Sequence, residues 1–507
     1  MGFLSNIQPQ FKPSKNSTKG FYIGTPEAEG ENFRIGQNLK DFYEDYNDIT
    51  DNIKNGKFII SGRKGTGKSA YVRYITENSS EERELYSALI KPSDYNLETC
   101  IQTVENELKF EIIFEWLILT RLVNLILKTH EGVATNEIQA LQRFQDKNRG
   151  LIDIDKYMPL EYTNSTNFEI NFAPLKDVFK PIISKNFSNK LIKAPFYVFI
   201  PSLREIICHI FKFQCLERFD FIIMFDDLDV KFKLSEKSHQ EKLLDLIRIA
   251  KRYNCEYLTR KNTRILIFLR DDIGRRLGGI DSDKNKIFGS YEYRINWYNY
   301  NDAKYDEKKL LLRKFINKRI GINFNVHSIP YNEEDPWVTL IDNSVCEAYN
   351  NKTAFKYILD FTFYRPRDLI NFFNNIGSED LPIPLSPDSI KFLLKKYTRS
   401  IVEELKDELT ALFECDTIEN IFDVLKDVAK SYTDPSYEQV LDFMENHDVD
   451  TKHFDTLIEY SLLNAKEPNG NKFYYNYREQ YPQGCYEEYV YVLPRSLYVY
   501  FCPEKLI

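Results

Sequence analysis

The stretch Gly62-Arg63-Lys64-Gly65-Thr66-Gly67-Lys68-Ser69 follows the pattern G-x-x-x-x-G-K-[ST], and Ala70 continues it. Lys57-Phe58-Ile59-Ile60 before it reads as a short buried strand. Ala70-Tyr71-Val72-Arg73-Tyr74-Ile75 after it reads as the first turns of a helix. A phosphate chain needs several backbone N–H groups converging on it, which requires glycines and a helix N-terminus aimed at the anion. The spacing predicts that Gly62 to Ala70 wrap a triphosphate, with Lys68 reaching the β- and γ-phosphates and the Ser69 hydroxyl on Mg2+. ATP with Mg2+ is the expected ligand pair.

Around this loop the chain alternates short apolar runs with helical patterns from about residue 46 to 330, the signature of an α/β layer with a parallel sheet. Expected central strands are 57–61, 219–226, 264–269 and 292–297, with a mostly helical insertion of about 120 residues at 97–215. Residues 1–45 form an N-terminal segment that begins polar and turns acidic. Residues 331–400 read as a helical lid, interrupted by Leu381-Pro382-Ile383-Pro384-Leu385-Ser386-Pro387. Residues 401–507 read as helices followed by a Tyr-rich strand pair, 472–477 and 486–493.

The second chemical motif is Phe221-Ile222-Ile223-Met224-Phe225-Asp226-Asp227-Leu228-Asp229. Five apolar residues predict a buried strand, and carboxylates stand at its C-terminal end, the edge where doubly wound sheets bind ligands. Asp226 is placed to hold Mg2+ opposite Ser69, and Asp227 to polarise an attacking water as general base. A buried strand that merely ends in a solvated acidic turn is the plainer alternative. A third strand, Arg264 to Leu269, ends in Arg270-Asp271-Asp272. Arg270 is the candidate contact to the γ-phosphate, and Arg275 or Arg276 could serve a neighbouring subunit as an arginine finger. The plainer reading pairs these arginines with Asp271, Asp272 and other acids. In Tyr364-Arg365-Pro366-Arg367-Asp368, the proline marks a first helical turn, so Arg367 can point across at a phosphate, pair with Asp368 or stay solvated.

Taken together, GRKGTGKSA, FDDLD, FLRDD and YRPRDLI resemble bacterial P-loop ATPases related to the AAA+/Orc-Cdc6-like and STAND ATPases, many of them found in phage-defence islands. The resemblance spans roughly residues 20 to 400. It implies that Gly62 to Ser69 match the Walker A loop, Asp226 and Asp227 the Walker B carboxylates, and Arg367 a sensor-2-like arginine in the lid. Asp227 departs from the glutamate that many such enzymes use. The resemblance also implies a winged-helix tail, with Leu457 to Leu463 as a helix and the Tyr-rich strands as its wing.

Composition narrows the setting. The 507 residues are 43% hydrophobic and 28% charged, which fits a globular chain of several domains. The start Met1-Gly2-Phe3-Leu4-Ser5-Asn6 lacks a secretory pattern, and Ile112 to Lys128, the most apolar helix candidate, carries Glu115 and Arg121 and is too short to span a bilayer. The eight cysteines form no CxxC pair, so reduced thiols in a cytoplasmic protein without membrane attachment are expected. The six histidines are scattered, and no G-x-S-x-G elbow occurs. Residues 400–507 carry 9 Lys+Arg against 22 Asp+Glu, a net of −13, while the remainder is +5. An acidic module neutralises phosphates poorly, so the tail is expected to dock on protein rather than on nucleic acid. For nucleic acid the best local candidate is the loose series Lys176, Lys180, Lys185, Lys190 and Lys193, although lysines spread among apolar and amide residues read first as a solvated face.

The leading expectation is an ATPase whose turnover drives a conformational or oligomeric switch controlling a protein effector or sensor subunit, with homo-oligomer formation. The alternatives are an ATP-gated scaffold with little hydrolysis and a nucleic-acid-remodelling ATPase.

Overall fold

Five short runs pair side by side in one sheet in the order β2-β3-β4-β1-β5. They are β1 (Ile59–Gly62), β2 (Leu85–Ile90), β3 (Asp220–Phe225), β4 (Thr263–Arg270) and β5 (Glu292–Arg294), and every neighbouring pair is parallel. A parallel sheet buried on both faces needs continuous apolar strands. Ile59 and Ile60 of β1 and Ile265 to Leu269 of β4 meet that requirement and are almost wholly buried. The register sets Gly62 beside Arg270 and Ile90 beside Phe225, so the loops after these strands leave from one edge of the sheet.

The computed structural model describes residues 17–28, 30, 39–91, 110–129, 135–147, 200–212, 218–228, 237–258, 263–277, 284–374, 376–431, 433–470 and 472–505. They fall into two units, one of Asp48–Lys64 with Lys68–Ile295 and one of Met1–Asn47, Gly65–Gly67 and Asn296–Ile507. Residues 296–330 therefore group with the later part of the chain rather than with the expected 46–330 core.

Four strands overlap the expected runs with shifted ends, but β5, expected among the central strands, lies at an edge and stops at Arg294; β2 was not expected. As an edge strand it keeps Leu85 to Leu89 half-exposed, so it lacks the continuous apolar run that marks its neighbours. Within the expected insertion, helix Phe110–Thr129 is buried along most of its length. Its Glu115 is held by Arg204 (Nε to Oε1 2.7 Å) and by the Tyr253 hydroxyl (2.8 Å), which satisfies a carboxylate that would otherwise be costly to bury. No helix among the described residues is long and apolar enough to cross a membrane. The lysine series at 176–193 lies outside the described residues, as does Asp229.

The other unit is mainly helical. Its N-terminal strip is tied down through its backbone: Thr18 N–H donates to Leu381 O (2.8 Å), and Tyr22 exchanges two hydrogen bonds with the Asn323 amide. In the tail, helix Phe454–Glu459 precedes a three-stranded antiparallel sheet of β6 (Asn464–Lys466), β7 (Phe473–Tyr474) and β8 (Val490–Val492), ordered β7-β6-β8. The two Tyr-rich strands do not pair with each other, because β6 lies between them. Asn464-Ala465-Lys466 is too short and too polar to announce itself in the sequence.

Candidate nucleotide site

The loop after β1 has the conformation that its glycines permit. Gly65 (φ +81°) and Gly67 (φ +97°) both lie in the left-handed region, where a side chain is strained. Lys68 opens the helix Lys68–Glu77, which buries Tyr71, Val72 and Ile75 on one face. The Lys68 ammonium is folded back on the loop, donating to Gly62 O (2.7 Å) and Arg63 O (2.9 Å).

Across β4, β3 delivers Asp226 to the same sheet edge. Its backbone continues the ladder, donating to Ile90 O (3.2 Å), and only 3% of the residue is exposed. The carboxylate accepts from the Ser69 hydroxyl and from the Asp227 N–H, yet Oδ2 is buried without a hydrogen-bond partner among the described residues. Burial first and the Asp227 charge second push its pKa up to about 6. The Asp227 N–H, Ser69 and Lys68 pull the other way. An orphaned buried carboxylate oxygen beside a loop serine is the donor set that Mg2+ takes. The residues present thus fit Mg2+ with a nucleotide.

A test follows from that carboxylate. Its folded value lies above the ordinary 3.8, so the folded chain holds an extra proton between about pH 4 and pH 6, and ligand-free stability falls as pH rises through that window. The contribution is on the order of 2–3 kcal/mol. Asp226→Asn, neutral at every pH, is expected to melt higher than the wild type at pH 8 and to lose that difference near pH 4. Thermal unfolding at both pH values checks this, and parallel curves at both would count against it.

Asp227 turns away from the strand in a left-handed conformation (φ +55°), and its Oδ2 pairs with Lys91 Nζ at 2.6 Å. Lys91 directly follows β2, so its role was hidden along with that strand. Arg270 sits beside Gly62 in the register, but its guanidinium is clamped by Asp272 (Nε to Oδ1 3.1 Å, Nη2 to Oδ2 2.7 Å). Arg275 and Arg294 both reach Asp271 (3.3 and 2.7 Å). For Arg270 and Arg275 the structure holds the plainer of the two arrangements, pairing with the adjacent acids.

The loop tip, Gly65–Gly67, belongs with the helical unit. Trp297 Nε1 donates to Thr66 O (2.9 Å), and Arg367 N–H lies 3.4 Å from Gly65 O. A Cβ at Gly65 would stand 3.0 Å from Arg367 Cβ, a second reason for glycine there. The Arg367 guanidinium donates to Pro26 O (3.0 Å) and Glu404 Oε1 (3.3 Å), and not to Asp368. Asp368 is taken by Arg365, a residue to which the sequence assigned no role. Arg365 is 1% exposed and pairs with Asp368 (2.9 Å), Glu408 (3.0 Å) and Glu404 (3.4 Å). Burial alone would lower its pKa, but the three carboxylates outweigh burial and raise it. Asp368 also accepts from the N–H groups of Phe363 (2.9 Å) and Arg365 (3.1 Å), capping the helix Pro366–Phe372.

Comparisons place parts of this chain beside known proteins. Residues 310–381, which include Arg365 and Arg367, match the family model described as the FunZ-associated C-terminal helical domain. A 157-residue stretch is 24% identical to the putative transposon gamma-delta 80.3 kDa protein of Escherichia coli (strain K12), covering 30% of this chain and 20% of that protein. The chain thus aligns with about a fifth of that relative's length. Among solved structures, the Aeropyrum pernix ORC2 protein (ADPNP–ADP complexes) aligns over 91% of both chains at 8% identity and a TM-score of 0.29. Cdc6p from Pyrobaculum aerophilum aligns over 91% of this chain and 93% of its own at 9% identity and a TM-score of 0.27. The α/β assignment rests on the parallel sheet and loop of this chain itself.

Proposed function

We propose that the chain binds ATP with Mg2+ and hydrolyses it. The observation that carries this reading is Asp226: a buried carboxylate bonded to Ser69 of the P-loop, with one oxygen left unpartnered. Lys68 and the N–H groups of Gly62 to Ala70 hold the phosphates, and Ser69 and Asp226 hold the metal. When bound, Mg2+ neutralises the charge that develops on the phosphates. Asp227 orients the water and receives its proton once it parts from Lys91. Arg367 takes the sensor role that the resemblance of the motifs implies for it. Arg270 contributes to the γ-phosphate when Asp272 releases it.

The coupled output is a switch that controls a protein partner, in keeping with the acidic tail. A place in phage defence, with a homo-oligomer as the working form, rests on the resemblance of the four motifs. Mg2+ dependence of ligand stabilisation tests the site. At about 100 times its Kd, ATP is expected to stabilise the wild type by about 2.7 kcal/mol. Without Mg2+, or in Asp226→Asn with Mg2+, the rise in thermal midpoint is expected to shrink markedly. Equal shifts in all three would contradict the assignment of Asp226.

A further inference from the structure

Well along the chain from the P-loop residues, the helical unit holds a cavity of about 440 Å3 whose walls carry an unusual mixture of side chains. Lys304, Lys352, Lys356 and Arg478 line it against one carboxylate, Asp360, and Tyr298, Tyr300 and Tyr364 supply aromatic faces. Asp360 is already engaged by Lys352 and by Arg495 (3.6 Å). Among the described residues, Lys304, Lys356 and Arg478 form no ion pair with a carboxylate, so the cavity presents a surplus of positive charge.

Arg478 is held for this purpose by rings rather than by acids. Its guanidinium carbon lies 4.4 Å from the ring centre of Tyr475, 4.9 Å from that of Tyr364 and 5.5 Å from that of Tyr298. Its Nε is buried without a hydrogen-bond partner among the described residues. Stacking on tyrosines fixes the guanidinium plane without neutralising it. Tyr300 is 53% exposed, with Lys304 Nζ 5.5 Å from its ring centre. A half-open ring beside an ammonium suits a planar group that bears an anionic substituent.

We propose that this cavity binds a small phosphorylated ring compound, a nucleoside phosphate, with its phosphates on Lys356, Lys304 and Arg478 and its base against Tyr300. The volume falls in the usual range for small-ligand sites. The surrounding charge favours a small ligand over a polynucleotide: residues 400–507 of the same unit are net −13, which repels an extended polyanion while leaving the short-range cations of a pocket effective. The site also borders the helix that carries Arg367. Tyr364, in the cavity wall, adopts a left-handed backbone (φ +56°) three residues before it. An occupant pressing on Tyr364 would bias Arg367 and the Gly65 tip; this coupling, unlike the binding itself, rests on the nucleotide reading of the P-loop.

Calorimetric titration separates the two sites. Lys68→Ala protein, titrated with ADP, GDP, CDP and UDP, is expected to retain binding of at least one of them. Adding Lys356→Glu or Lys304→Glu to Lys68→Ala should weaken that binding at least tenfold. Tyr300→Ala should weaken the nucleotide but leave pyrophosphate binding unchanged. In otherwise wild-type protein, Lys356→Glu should not alter Lys68-dependent ATP binding, so a failure of the P-loop reading shows in a different arm. No binding by any diphosphate to Lys68→Ala protein, or binding indifferent to both lysine changes, overturns the proposal.

Discussion

Asp227→Asn is expected to slow single-turnover ATP hydrolysis by about 100-fold or more, the usual scale for losing a positioned general base. β3 ends at Phe225, Asp226 stays on the ladder, and the positive φ of Asp227 swings its carboxylate out of the strand to Lys91. Both partners are partly exposed, at 23% and 35% of their side chains, so the pair is easily broken and contributes little to stability. Its consequence is chemical: one carboxylate oxygen is occupied by the ammonium at 2.6 Å and is not open to a water. Lys91→Met is therefore expected to raise basal hydrolysis several-fold, and the double variant to match Asp227→Asn alone. Single-turnover rates of the four proteins, with ATP binding measured in parallel, decide this. A fall in Lys91→Met as deep as that in Asp227→Asn would place Lys91 on the nucleotide instead of on its base.

Arg365→Ala is expected to destabilise the helical unit by about 3–5 kcal/mol, the scale seen when one partner of a buried ion network is removed. The substitution leaves Asp368, fully buried, and Glu408, 4% exposed, without their cation. It also removes the fork that spans them; Arg365→Lys, a point charge on a flexible stem, is expected to recover only part of the loss. Trp297 and Trp337, two of the 3 tryptophans, belong to this unit, so urea denaturation followed by tryptophan fluorescence reports chiefly on it. A loss below about 1 kcal/mol would mean that the network is no more than a surface-type pair.

What the sequence made legible was governed by burial. The strands carrying the P-loop, Asp226 and Arg270 are central, so their apolar runs are continuous and their C-terminal residues stand out as polar. β2 occupies the edge, and with it Lys91 stayed out of view, although Asp227 can be understood only beside that lysine. Arg365 and Arg367 flank one proline, and the helix phase that tells them apart follows from Asp368 reaching back to cap the first turn. That contact turns Arg365 inward to three carboxylates and leaves Arg367 on Gly65 and Pro26. The grouping of Tyr298, Tyr364 and Arg478 joins residues up to 180 positions apart, and no local pattern announces it.

Phosphate release from γ-labelled ATP with Mg2+, compared between wild type and Lys68→Ala, tests the central claim most directly. Lys68 is the cation proposed to meet the phosphates; its ammonium donates to Gly62 O and Arg63 O at the mouth of the loop. The wild type is expected to release phosphate at a rate that rises with Mg2+, and Lys68→Ala to fall at least 100-fold below it, about 2.7 kcal/mol of transition-state stabilisation. Release no faster from wild type than from Lys68→Ala, at saturating ATP and Mg2+, would contradict the account.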